Sequence, residues 1–76
     1  MAKLRELNYR EVVKRLRRLG FRFYRHGRGS HELWVRDTDS VVVPVPRHKG
    51  KAIRKGTLRA IIREIGVDVD EFMELE

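Results

Sequence analysis

Apolar residues in this chain recur first every three to four positions, then every two, then every three to four again. That switch of period constrains the fold most, because residues at i, i+3, i+4 and i+7 share one helix face whereas alternate residues share one face of a strand. Tyr9, Val12, Val13, Leu16 and Leu19 form the first helical stripe, with Arg10, Lys14, Arg15, Arg17 and Arg18 expected on the surface around it. Asn8-Tyr9-Arg10-Glu11 has the form of a capping box that would start this helix, and Gly20 would stop it. From Phe21 the period is two, with Phe21, Phe23 and Arg25 on one side and Arg22, Tyr24 and His26 on the other.

Gly27-Arg28-Gly29 then reads as a turn, Ser30 to Arg36 as a second strand, Asp37-Thr38-Asp39-Ser40 as another turn, and β-branched Val41 to Val45 as a third strand ended by Pro44 and Pro46. Alternation in the second strand puts His31, Leu33 and Val35 on one face, expected to be the covered one, and Trp34 on the other. Arg47 to Gly56 is a basic loop without a periodic apolar face. Thr57 is placed to cap a second helix in which Leu58, Ile61, Ile62 and Ile65 form the stripe and Gly66 the stop. Asp68-Val69-Asp70-Glu71 resembles another capping box, opening a short last helix with Val69, Phe72 and Met73 on one side. Short connections imply an antiparallel meander, and two helical stripes need a sheet face to cover. The predicted architecture is an α+β two-layer sandwich built as one domain over residues 1–76, since a chain this short has room for one thin core.

Charge narrows the partner. Residues 1–65 carry all 18 Lys and Arg and six acids, whereas residues 66–76 carry five acids and no base, so the body is +12 and the tail −5. A sequence pI near 10.6 makes a polyanion, most commonly a nucleic acid, the expected partner. Without cysteine there is no disulfide framework, thiolate metal site or cysteine nucleophile, and a reducing compartment is compatible. No stretch reaches the roughly 20 apolar residues of a membrane span. Met1-Ala2-Lys3-Leu4-Arg5-Glu6 lacks a secretion signal's apolar run, so the expected location is the cytoplasm.

Histidine exchanges protons near neutral pH, so chemical proposals start with His26, His31 and His48. His26 ends a strand beside a turn, where exposure alone accounts for it. His48 lies in the basic loop. His31 stands at the end of its strand beside Gly29 and Ser30, either satisfied locally or part of a site. No histidine pair at i, i+4 and no clustered carboxylates point to a metal, and no phosphate-loop or dinucleotide fingerprint is present. Ser30 and His31 are adjacent on a strand and point to opposite faces, which argues against a serine nucleophile paired with this histidine.

Leu19-Gly20-Phe21, Gly29-Ser30-His31, Val43-Pro44-Val45-Pro46-Arg47-His48, Lys55-Gly56-Thr57-Leu58-Arg59-Ala60-Ile61 and Val69-Asp70-Glu71-Phe72 occur in that order. Together they resemble the HicA family of bacterial and archaeal toxins, from about Asn8 to Leu75. The resemblance implies the double-stranded-RNA-binding-domain-like α-β-β-β-α fold with a short C-terminal helix. It also implies a messenger-RNA endoribonuclease, the toxin of a type II toxin–antitoxin pair whose partner is a HicB-like antitoxin. The family's catalytic histidine in the Gly-Ser-His motif maps onto His31, and Gly29 matches as well.

RNA carries its own nucleophile, the 2′-OH, so cleavage needs proton transfer and charge stabilisation at phosphorus. Arg28, Ser30, His48, Lys49, Lys51 and Lys55 are the candidate RNA contacts, with the cations offsetting charge on the nonbridging oxygens and His48 a candidate second proton carrier. The chemistry calls for no metal or other cofactor. Tyr24 and Trp34 are candidates for stacking on unpaired bases or for core packing. The competing readings are a noncatalytic RNA-binding module and a DNA-binding regulator. The second is poorly served by a second helix offering Arg59 and Arg63 with few Asn, Gln or Ser to read bases.

Overall fold

A computed structural model of the chain describes residues 3–48 and 50–75. Its elements are α1 (Tyr9–Arg18), β1 (Phe21–His26), β2 (His31–Arg36), β3 (Val41–Pro46), α2 (Lys55–Ile65) and α3 (Val69–Glu74). The strands form one antiparallel sheet in the order β1-β2-β3. This is the expected α+β arrangement, a helix, three strands and two helices.

Local signals set most boundaries. The Asn8 side chain accepts from the Glu11 N–H at 2.8 Å while the Glu11 carboxylate accepts from the Asn8 N–H at 3.0 Å, so the capping box forms in full. Gly66 ends α2 in the left-handed region at φ 91°, its N–H bonded to the Ile62 carbonyl at 3.1 Å. Asp68 caps α3 by accepting from the Glu71 N–H at 2.7 Å. Thr57 does not cap α2. The helix opens three residues earlier, after Arg54, whose side chain makes no capping hydrogen bond.

The core lies between the helices and one sheet face, with Val12, Leu16, Leu58, Ile62 and Phe72 meeting Phe21, Trp34, Val43 and Val45. The covered face therefore carries Glu32 and Trp34, the reverse of the parity expected from Leu33 and Val35. Trp34 pairs with Phe23 and Val43, and Glu32 with Val45. A tryptophan offers more apolar area than Leu33, and Glu32 is drawn in because partners wait for it. By alternation His31 keeps the company of Leu33 and Val35, at the end of the sheet where β2 begins. A register shift between Phe23 and Arg25 leaves Tyr24 as an extra residue, so Arg25 pairs with Leu33 and His26 with Glu32. His26 thereby joins the side of Phe23, their ring centroids 5.2 Å apart.

Two further features were not expected. Arg15, assigned to the surface, is buried, its guanidinium donating to the carbonyls of Phe72 at 3.1 Å, Met73 at 3.2 Å and Glu11 at 3.0 Å. Leu7 and Ile53, outside any periodic stripe, are both buried and pair in a bridge, with the Ile53 N–H on the Leu7 carbonyl at 2.7 Å. That bridge ties the approach to α1 to the basic loop.

Candidate active site

The turn between β1 and β2 positions His31. Its N–H donates to the Arg28 carbonyl at 3.0 Å and its carbonyl accepts from the Gly27 N–H at 2.9 Å, so both backbone groups close the turn. Gly29 sits within that turn at φ 57°, where a β-carbon is disfavoured by the backbone alone, since none of the surrounding atoms lies within 4 Å of where it would be. His31 is the first residue of β2, exposed, and pairs with Pro46 at the end of β3. The chain continuing from Pro46 is held against the turn by the Arg47 N–H on the Ser30 carbonyl at 2.9 Å.

His31 and the basic loop thus share a depression of about 330 Å³ between the end of the sheet and the start of α2, walled also by His48, Lys51, Arg54 and Thr57. The Ser30 hydroxyl lies 3.2 Å from His48 Nε2 and 3.5 Å from its Nδ1, beside the turn. Three candidates named from sequence, His31, His48 and Lys51, come together here, with Ser30 behind His48. Arg28 is exposed in the turn and Lys55 in the first turn of α2, and neither side chain lines the depression. Lys49 lies outside the described residues. Arg54 and Thr57 were missed as wall residues. Their signal was position, immediately before and within the first turn of a helix that points at the site.

Beside the depression stands a buried carboxylate. Glu32 Oε1 accepts from the Tyr9 hydroxyl at 2.5 Å and from Trp34 Nε1 at 3.2 Å, and Oε2 accepts from Arg47 at 3.1 Å. Burial alone would raise the pKa of this carboxyl. The hydrogen bonds from Tyr9, Trp34 and Arg47 and the Arg47 charge outweigh it, so the pKa lies below the ordinary value. Tyr9 is pushed up to about 12, first by burial and then by its bond to Glu32 and that carboxylate's charge, and it remains a hydrogen donor. The Arg47 guanidinium also lies over the Tyr9 ring, 4.8 Å from its centroid.

Of the two candidate stacking aromatics, Trp34 is 1% exposed and Tyr24 49%. Trp34 is core and is closed to a base, whereas Tyr24 is open. Among the described residues no group of three or more His, Asp or Glu is placed to hold a metal ion, and no helix is long and apolar enough to cross a membrane.

The sequence model of the family described as "HicA toxin of bacterial toxin-antitoxin" matches residues 9–67, most of the chain and all of α1 through α2. A comparison with curated proteins found no match. With that match laid over α1, the three antiparallel strands and α2, the chain belongs to the HicA family of toxins from toxin–antitoxin systems.

Proposed function

We propose that this toxin is a metal-independent endoribonuclease that cleaves messenger RNA in the cytoplasm, with His31 as its proton-transfer residue and a HicB-like antitoxin as its inhibitor. The observation that carries the reading is the meeting of His31 with His48, Lys51 and Arg54 around one open depression. Proton carriers and cations in one place are what transfer to phosphorus requires when the substrate brings its own nucleophile.

In the proposed reaction the RNA 2′-oxygen attacks the adjacent phosphorus and gives up its proton to a base. The P–O5′ bond breaks, and the leaving 5′-oxygen takes a proton from an acid. The products are a 2′,3′-cyclic phosphate end and a 5′-OH end. His31 acts on one of these protons, a contribution of roughly 10²–10⁴-fold. Lys51 and Arg54 face the charge that builds on the nonbridging oxygens, and Ser30 orients His48. Arg28, Lys49 and Lys55 contact RNA phosphates beyond the reacting one, and Tyr24 stacks on an unpaired base. The antitoxin inhibits by covering His31 and presenting acids to the positive surface.

Incubation of the purified protein with labelled single-stranded RNA in EDTA, beside DNA of the same sequence, tests the reading. RNA cut to cyclic-phosphate ends with DNA intact is the expected result. Loss of cleavage in EDTA would overturn the metal-free reaction, and RNA bound but intact would make this a noncatalytic RNA-binding module.

A further inference from the structure

The His31 depression is one end of a longer basic trench. It shares His48, Lys51 and Ala52 with a second depression of about 800 Å³ that reaches Tyr9, Arg10 and Arg47. That one in turn shares Tyr9, Arg10 and Arg47 with a third of about 670 Å³ along α1, walled by Lys14, Arg17 and Arg18. Among the described residues no Asp or Glu lines any of the three.

The junction is built rather than incidental. Glu32 is buried beneath it and holds Tyr9 at 2.5 Å and Arg47 at 3.1 Å, fixing an aromatic ring and a guanidinium against each other where the second and third depressions meet. Arg47 spends one N–H on Glu32 and keeps its side chain 61% exposed, so donors remain for a phosphate. Farther along, Arg17 is held over the Trp34 ring, 5.2 Å from its centroid. By contrast Arg10, Lys14 and Arg18 are exposed and, among the described residues, form no side-chain hydrogen bond or ion pair. Three cations along one helix face without a side-chain partner are not required by the packing of the fold. They suit a flexible chain of regularly spaced negative charges.

We infer that the RNA strand leaving the His31 depression crosses the Tyr9–Arg47 junction and runs along the exposed face of α1, its phosphates on Arg10, Lys14 and Arg18. The inference rests on the ribonuclease reading for the end at which the strand is cut. The track itself is a binding surface that stands or falls separately. A strand is favoured over an acidic protein because the trench is continuous with the depression proposed to hold the reacting phosphate, through the lining residues that neighbouring depressions share.

The test measures binding and cleavage separately in the full chain. In a His31→Ala background, fluorescein-labelled single-stranded RNA is titrated by anisotropy across a range of salt. The triple variant Arg10→Gln/Lys14→Gln/Arg18→Gln is compared with the charge-matched control Arg22→Gln/Arg59→Gln/Arg63→Gln, whose positions line none of the three depressions. Loss of three phosphate contacts lowers the slope of log affinity against log salt by about 2. The expected result is that drop for the α1 triple and little change for the control, with KM for a long RNA raised in the corresponding His31-containing protein. Equal slopes for both triples overturn the track, even if the wild type cleaves RNA. A loss of affinity for an acidic partner protein with RNA binding untouched also overturns it, and reassigns the face to protein. If the wild type binds through α1 but cuts nothing, the track is upheld and the ribonuclease reading fails.

Discussion

Glu32 Oε2 accepts a hydrogen bond at 3.1 Å from Arg47, across a boundary at which the glutamate side chain is 4% exposed and the arginine 61%. A carboxylate is costly to bury, and here three donors offset the cost while linking α1, β2 and the start of the basic loop. Because the folded pKa of Glu32 is depressed, this group stabilises the fold above its ordinary value of about 4.5 and the contribution is lost as pH falls through the folded value. Glu32→Gln is expected to lower stability at pH 7 by about 1–3 kcal/mol. It should also flatten the acid limb of a stability profile measured by urea unfolding from neutral pH downward. An unchanged acid limb would remove Glu32 from that role.

Arg15 forms a fork on the Phe72 and Met73 carbonyls that fastens α3 to α1. Truncation to Ala strands those carbonyls and is expected to cost about 2–3 kcal/mol. Hydrogen exchange should show α3 amides losing protection more than those of α2. Arg15→Lys should recover only part, because an ammonium lacks the planar fork.

The two candidate stacking aromatics should separate cleanly. Trp34→Ala removes a large, fully buried side chain and is expected to cost about 3–5 kcal/mol in unfolding free energy. Tyr24→Ala should change stability by less than about 0.5 kcal/mol. If its ring stacks on a base, RNA affinity falls by about 1–3 kcal/mol in an anisotropy titration.

Gly29 is held at φ 57° with open space around its missing β-carbon. Substitution therefore acts through the backbone, at about 1–2 kcal/mol for a β-branched residue. Gly29→Asn should be tolerated better than Gly29→Val in thermal melts, and cleavage should fall with Val because the turn no longer presents His31.

Much of this was legible in the sequence, and what was not shares a physical cause. The stripes of α1 and α2, the Asn8–Glu11 box and the three strands are short-range patterns, written in neighbours two to four apart. The covered sheet face was misread because parity gives two faces without saying which one helices occupy, and Trp34 and Glu32 decided it through partners distant in sequence. Tyr24 broke the alternation without a Gly or Pro to announce it. Arg15 reads as a surface cation until α3 supplies carbonyls 57 and 58 residues away. Leu7 and Ile53 are single apolar residues in polar stretches, with no period to give them away. The candidate site was half legible. His31, His48 and Lys51 could be named singly, but their meeting depends on the end of β3 folding back to Ser30, a long-range contact no local pattern encodes.

The most direct measurement is the single-turnover cleavage rate of wild type and His31→Gln on the same single-stranded RNA, with both proteins shown to be folded by circular dichroism and both assayed for RNA affinity. A fall in rate of at least about 100-fold with affinity changed by less than about twofold is the expected result, because His31 is exposed, its side chain makes no hydrogen bond among the described residues, and its task is proton transfer. Cleavage by His31→Gln at the wild-type rate would contradict the assignment and move the chemistry to another residue of the depression.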